Sequence, residues 1–181
     1  RLNTPVYAPC FGGGDATVMA VIGNSSKSFF QEMGIDSNKI FVTGHPLIEE
    51  SLFTERQNNH DIYNILGMPH NSNFVLYCTG HYLKSKIDYL FGKSLFELRK
   101  NKISTILKSN FSGYIVVKLH PIENIVTYKE LESLFDNVKV IQSIDVIDLI
   151  KMCEVFFTRS STSAYYAMMF GKPVITHNYP P

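Results

Sequence analysis

Short apolar runs alternate with amphipathic segments along most of the chain, and the two patterns have different periods. Phe74 to Cys78, Tyr114 to Leu119, Val138 to Ile141, Val155 to Thr158 and Val174 to Thr176 are rich in β-branched and aromatic residues, and read as five buried-type strands. Between them, Ser94 to Leu107, Lys129 to Phe135, Asp145 to Met152 and Thr162 to Phe170 read as helices. Strand and helix in strict alternation is the pattern of βα units, and it predicts an α/β fold built on a doubly wound parallel sheet.

The N-terminal stretch follows the same logic over a shorter span. Ala16 to Ile22 and Lys39 to Thr43 read as strands on either side of a helix over Ser26 to Met33. Ser25 or Ser26 would cap that helix, and Gly34 stands where a left-handed residue closes one. Gly44-His45-Pro46 ends the second strand, and Leu47 to Phe53 reads as a short helix. Thr54-Glu55-Arg56-Gln57-Asn58-Asn59-His60-Asp61 is the most polar stretch and has the composition of a linker. It predicts a domain boundary, with residues 1–55 the end of one α/β domain and 56–181 a second, nearly complete one. The chain does not start with Met and stops just after a strand, so it reads as a fragment whose second domain is truncated.

Composition narrows the class. With 181 residues, 45% of them hydrophobic, and a mean hydropathy of -0.01, the chain has the material for a core and is not of the disordered type. Its 17 basic and 16 acidic residues leave a formal charge of +1, which argues against a nucleic-acid partner. Cys10, Cys78 and Cys153 are dispersed without CxxC spacing, as in a reduced cytoplasmic protein. No apolar run reaches the roughly 18 residues of a membrane helix.

Candidate chemistry gathers at strand ends. Phe156-Phe157-Thr158-Arg159 runs into four hydroxyl residues, Ser160 to Ser163, ahead of a short apolar helix that Gly171-Lys172-Pro173 stops. One capping side chain satisfies one or two orphan N–H groups, so four hydroxyls exceed what a cap needs. Helix N-termini also attract anions. Ser160, Ser161 and Thr162 are therefore candidates to hold a phosphate, against the plainer reading of strand-end serines as caps. Lys118-Leu119-His120-Pro121 closes another strand. A His-Pro pair there is often only a turn. Facing the same crevice, with Lys118 beside it, His120 would donate a charge-assisted hydrogen bond to a diphosphate. Both segments fall beyond the carboxyl ends of strands, where doubly wound sheets bind ligands. Cys78-Thr79-Gly80-His81 ends the first strand of the second domain. Gly80 would let a ligand approach the backbone, and His81 either lines a cleft or sits in a solvated loop.

Other patterns fail on spacing. Phe91-Gly92-Lys93-Ser94 resembles the end of a P-loop, but the leading glycine would stand at Ile87. Gly12-Gly13-Gly14-Asp15 lacks the GxGxxG spacing and precedes a strand. The six histidines are never closer than ten residues, so no zinc-type HxxxH pair exists. There is no GxSxG elbow.

The order Val42-Thr43-Gly44-His45-Pro46, Lys118-Leu119-His120-Pro121, Ser160-Ser161-Thr162 and Gly171-Lys172-Pro173-Val174-Ile175 resembles the GT-B superfamily. It is most similar to bacterial sialyltransferases, polysialyltransferases, Kdo transferases and CDP-glycerol transferases, which build capsule and surface polysaccharides. The resemblance implies two Rossmann-like domains, 1–55 ending the acceptor side and 56–181 binding the donor. It assigns His120, Ser160, Ser161 and Thr162 to the donor nucleotide, and the strand-end reading adds Lys118, Pro121, Gly80 and His81 as donor-binding candidates. The resemblance further implies metal-independent transfer without a cofactor, from a nucleotide-activated sugar to a polysaccharide or oligosaccharide acceptor, in the cytoplasm and peripherally at the inner face of the membrane. The non-hydrolysing UDP-N-acetylglucosamine 2-epimerases share the architecture. Their VTGN stretch is similar to Val42-Thr43-Gly44-His45, and their T-x-H-R to Thr79-Gly80-His81-Tyr82, with departures at Tyr82 and at Ser161-Thr162-Ser163. The acidic motif that supplies the sialyltransferase general base is not in this sequence, so the resemblance implies donor binding without turnover. A non-catalytic α/β scaffold is the reading from outside the enzymes.

Overall fold

The computed structural model describes residues 16–45, 59–80, 95–109, 111–159 and 161–177. The helix expected over Leu47 to Phe53 lies outside them. The chain divides into two compact units, Arg1–Thr54 and Glu55–Pro181.

In the first unit, β1 (Met19–Val21), α1 (Asn24–Glu32) and β2 (Ile40–Val42) form a parallel βαβ arrangement in which Met19 lies opposite Ile40 and Val21 opposite Val42. Helix α1 starts earlier than the sequence pattern implies. Its N-cap is the extended Gly23, with no side-chain hydrogen bond, so neither serine caps it. Its end is as expected: Gly34 has φ of 91°, and the Ile35 N–H reaches back to the Phe30 carbonyl at 3.1 Å.

The second unit opens with α2 (Asn59–Leu66), which occupies the end of the stretch read as linker. The polar Asn59-His60-Asp61 hides it in the sequence, but Ile62, Tyr63 and Leu66 are buried. Then follow β3 (Phe74–Cys78), α3 (Leu95–Lys108), β4 (Tyr114–Lys118), α4 (Ile125–Leu134), β5 (Val138–Ile141), α5 (Val146–Met152), β6 (Val155–Thr158), α6 (Ser163–Met169) and β7 (Val174–Thr176). Helix α4 begins a turn before the expected Lys129 because the Asn124 side chain accepts the Val126 N–H at 3.0 Å. Asp145 caps α5 in the same way, accepting from the Ile147 N–H at 2.8 Å.

All pairings are parallel, in the order β5-β4-β3-β6-β7. The central strand β3 is buried along its whole length, and its period of two sends Phe74, Leu76 and Cys78 to one face and Tyr77 to the other. On the first face these residues pack with Val116 and Phe156 against Ile62 and Leu66 of α2, Leu149 and Ile150 of α5, and Ala167 of α6. On the second, Tyr77, Ile115, Val117, Val138 and Val140 meet Ile103 of α3 and Tyr128 and Leu131 of α4. The sheet is therefore wound on both faces, as the alternation of elements predicts.

Two details fix its margins. Glu132 of α4 accepts the Val140 N–H at 2.5 Å, covering a donor on the open edge of β5. At Gly113 the chain passes so close to its neighbour that a Cβ would lie 2.4 Å from the Asn73 carbonyl oxygen. No helix among the described residues is long and apolar enough to cross a membrane.

Candidate functional site

The strand order reverses between β3 and β6: β4 and β5 are laid down on one side of β3, β6 and β7 on the other. Such a switch point leaves a crevice at the carboxyl ends of the strands. A cleft of about 360 Å³ lies there. Its walls are Cys78 and Thr79 at the end of β3, Lys118 to Pro121 at the end of β4, Gln142 to Val146 after β5, and Ser161 and Ser163 after β6.

The His-Pro turn is held from two sides. The Gln142 Nε2 amide reaches the carbonyls of His120 (2.8 Å), Glu123 (2.9 Å) and Pro121 (3.1 Å). Beneath the turn, a Glu123 oxygen accepts the His120 N–H at 2.9 Å and the Thr79 hydroxyl at 2.5 Å. The other Glu123 oxygen pairs with the buried Arg99 guanidinium, which lies over the Tyr128 ring at 4.4 Å. The His120 ring is half-buried, and its Nδ1 accepts the Ile122 N–H at 3.4 Å. A neutral imidazole accepting at Nδ1 carries its proton on Nε2, so this geometry selects the Nε2–H donor form.

Lys118 is half-buried and donates from Nζ to the Gln142 carbonyl at 2.7 Å. Burial pushes its ammonium below the ordinary lysine value, partly opposed by Cys78 and Asp145. An anion in the cleft would favour the charged form. The Cys78 thiol, on the same wall, is pushed far up by burial, so it is no nucleophile at neutral pH. Burial also pushes the Cys153 thiol up to about 11.

Of the residues singled out in the sequence, Lys118, His120, Pro121 and Ser161 come together on this cleft. The Ser161 hydroxyl oxygen accepts the Ser163 N–H at 3.2 Å, as a capping serine does, and the residue lines the cleft. Thr162 takes the N-cap position of α6, makes no side-chain cap bond, is exposed and does not line the cleft; Ser163 does. Gly80 is half-buried and off the cleft wall, and a Cβ there would meet nothing within 4 Å. Ser160 and His81 lie outside the described residues. Sequence reasoning missed Thr79, Arg99, Glu123 and Gln142. Glu123 had a legible signal, because a Glu three residues after the first residue of a turn has the spacing of a capping box, in which the carboxylate reaches back to a backbone N–H. Arg99 and Gln142 had none. Among the described residues, no group of three or more His, Cys, Asp or Glu side chains is placed to hold a metal ion.

No protein-family model matches the chain, and no curated protein matches it. Solved structures do. MnaA of S. aureus, solved with UDP, is similar with a TM-score of 0.63 at 17% identity, over 90% of this chain and 42% of that one. The wall teichoic acid polymerase TagF gives 0.59 at 17% identity, over 91% and 40%. The UDP-GlcNAc 2-epimerase of Methanocaldococcus jannaschii, in complex with UDP-GlcNAc and UDP, gives 0.60 at 18% identity, over 88% and 45%. The chain thus spans less than half the length of each structure. At such identities the likeness is one of fold, and it bears out the expected class, a Rossmann-like parallel α/β sheet.

Proposed function

We propose that this chain is the donor-binding half of a GT-B glycosyltransferase, carrying the end of the acceptor-side domain at 1–55. The enzyme would move a sugar, or a glycerophosphate-like group, from an activated nucleotide to a surface polysaccharide acceptor. The observation that carries the reading is the convergence of Lys118, His120, Ser161 and Ser163 on one cleft at the strand-order reversal. The likeness in fold to enzymes solved with UDP and UDP-GlcNAc supports a nucleotide in that cleft.

As the bond from sugar to phosphate breaks, negative charge grows on the departing nucleotide. Groups already aimed at that charge lower the barrier without reorganising. In the Nε2–H form His120 donates to a phosphate oxygen, the serine hydroxyls donate beside it, and Lys118 adds a positive charge. The turn that carries His120 is held by Gln142 and Glu123, so its orientation is fixed before the donor arrives. No step requires a metal. The family resemblance assigns the general base to an acidic motif that this sequence lacks, so donor binding without turnover is the behaviour expected of this chain.

A nucleotide-sugar epimerase would use the same cleft, and the likeness in fold to the M. jannaschii epimerase, level with that to TagF, supports this second reading equally. It predicts conversion of free UDP-sugar without any acceptor. Calorimetric titration with CMP, CDP, UDP and GDP tests the proposal. Saturable binding of one nucleotide, weakened more than about tenfold (roughly 1.4 kcal/mol) by His120→Ala and by Ser161→Ala, is the expected result. A folded chain that binds none of the four overturns it.

A further inference from the structure

The ion pair under the His-Pro turn is more than the core requires. The Arg99 side chain is 2% exposed and that of Glu123 9%. Burying two charges costs more than their attraction returns unless their other polar atoms find partners, and an apolar pair of similar volume is often as stable. Arg99 meets that condition poorly. Its Nη2 serves Glu123 and, at 3.4 Å, the Gly80 carbonyl, while Nε and Nη1 have no hydrogen-bond partner among the described residues. Glu123 meets it fully, with one oxygen on Arg99 and the other shared by the Thr79 hydroxyl and the His120 N–H. The His120 N–H also lies 3.0 Å from the Thr79 hydroxyl oxygen. The pair therefore joins the turn after β3 to the turn after β4, at the backbone of the residue whose ring lines the cleft.

We infer that Glu123, aimed by Arg99, is a positioning residue that sets the orientation of the His120 ring in the nucleotide cleft. The role rests on the proposed function but can be tested apart from it. Removing one charge leaves the other buried alone, so single neutral variants lose stability on any view of the pair. The double variant Arg99→Met/Glu123→Leu removes both. In it the Thr79 hydroxyl can turn its single hydrogen to the Lys118 carbonyl, 3.2 Å away, and the His120 N–H keeps the Thr79 oxygen. It is therefore expected to unfold at a urea midpoint close to that of the unaltered chain. Glu123→Asp is the second variant: it keeps a charge beside Arg99 but draws it back one methylene from the His120 N–H.

Two readouts decide the matter. Nucleotide affinity, measured with whichever of CMP, CDP, UDP and GDP the unaltered chain binds, is expected to fall tenfold or more in both variants, and the ring ¹⁵N resonances of His120 to move away from the pattern of Nδ1 acceptor and Nε2–H donor. A folded double variant, or a folded Glu123→Asp, with unaltered affinity and ring resonances overturns the inference and leaves the pair a structural one. The ring readout needs no ligand. An unaltered chain that binds none of CMP, CDP, UDP and GDP ends the functional reading, while the His120 resonances still decide whether Glu123 positions the ring.

Discussion

Replacing Gln142 by Met isolates the part of the site that the sequence did not reveal. The substitution keeps the length and apolar stem of the side chain and deletes its donors. The Gln142 amide carries two hydrogens against three carbonyls, those of His120, Pro121 and Glu123, at 2.8, 3.1 and 2.9 Å. At most two of these can be full hydrogen bonds, each worth about 1 kcal/mol net. Pro121 is exposed, so its carbonyl can turn to water, whereas the His120 carbonyl belongs to a half-buried residue. The expected loss is about 1–2 kcal/mol in urea unfolding, seen as a lower midpoint at unchanged slope. The Lys118 contact survives, because it is made to the Gln142 backbone carbonyl. Nucleotide affinity should weaken alongside, as the His-Pro turn gains freedom. A loss below about 0.5 kcal/mol, within the range of an ordinary surface change, would refute the view that this amide holds the turn.

Two further outcomes follow from the geometry. Gly113→Ala sets a methyl 2.4 Å from the Asn73 carbonyl oxygen, so it should destabilise by about 2 kcal/mol or more in the same assay; a neutral effect would mean that the two chain segments separate easily. Burial lowers Lys118 below the ordinary value of 10.5, so charged Lys118 costs stability at neutral pH, a cost relieved as pH rises from the lowered value toward 10.5. A bound diphosphate favours the ammonium and raises that value. Binding in this alkaline window should therefore take up protons, making the calorimetric enthalpy depend on the ionisation enthalpy of the buffer, and Lys118→Met should abolish the dependence. Equal enthalpies in all buffers would show that Lys118 does not sense the ligand.

The sheet was legible because each of its strands in the second unit is a short apolar run bounded by polar turn residues. Phe74–Cys78, Val138–Ile141, Val155–Thr158 and Val174–Thr176 appear at the positions read from the sequence. Helix α2 was not legible, because Asn59-His60-Asp61 gives its first turn the composition of a linker, and only burial of Ile62 and Leu66 identifies it as part of the core. The strand-end residues Lys118, His120 and Ser161 could be found because the parallel topology fixes where strand ends go. Their supports could not. Arg99 sits in a helix where a basic residue ordinarily faces water, yet it is buried under Tyr128. Gln142 meets the His-Pro turn only because β5 lies beside β4. Thr162, taken with its neighbours as a phosphate ligand, is exposed at the N-cap of α6 and is not among the residues lining the cleft, whereas Ser161 and Ser163 are.

The most direct test of a nucleotide site in this cleft is chemical-shift mapping of the ¹⁵N-labelled chain during titration with CMP, CDP, UDP and GDP in turn. The expected result is a saturable set of amide shifts concentrated at Thr79, Leu119, His120, Gln142, Ser161 and Ser163, with the helices on the far ends of the strands unmoved. Saturable shifts clustered elsewhere, or no shifts at millimolar nucleotide in a well-dispersed spectrum, would contradict it.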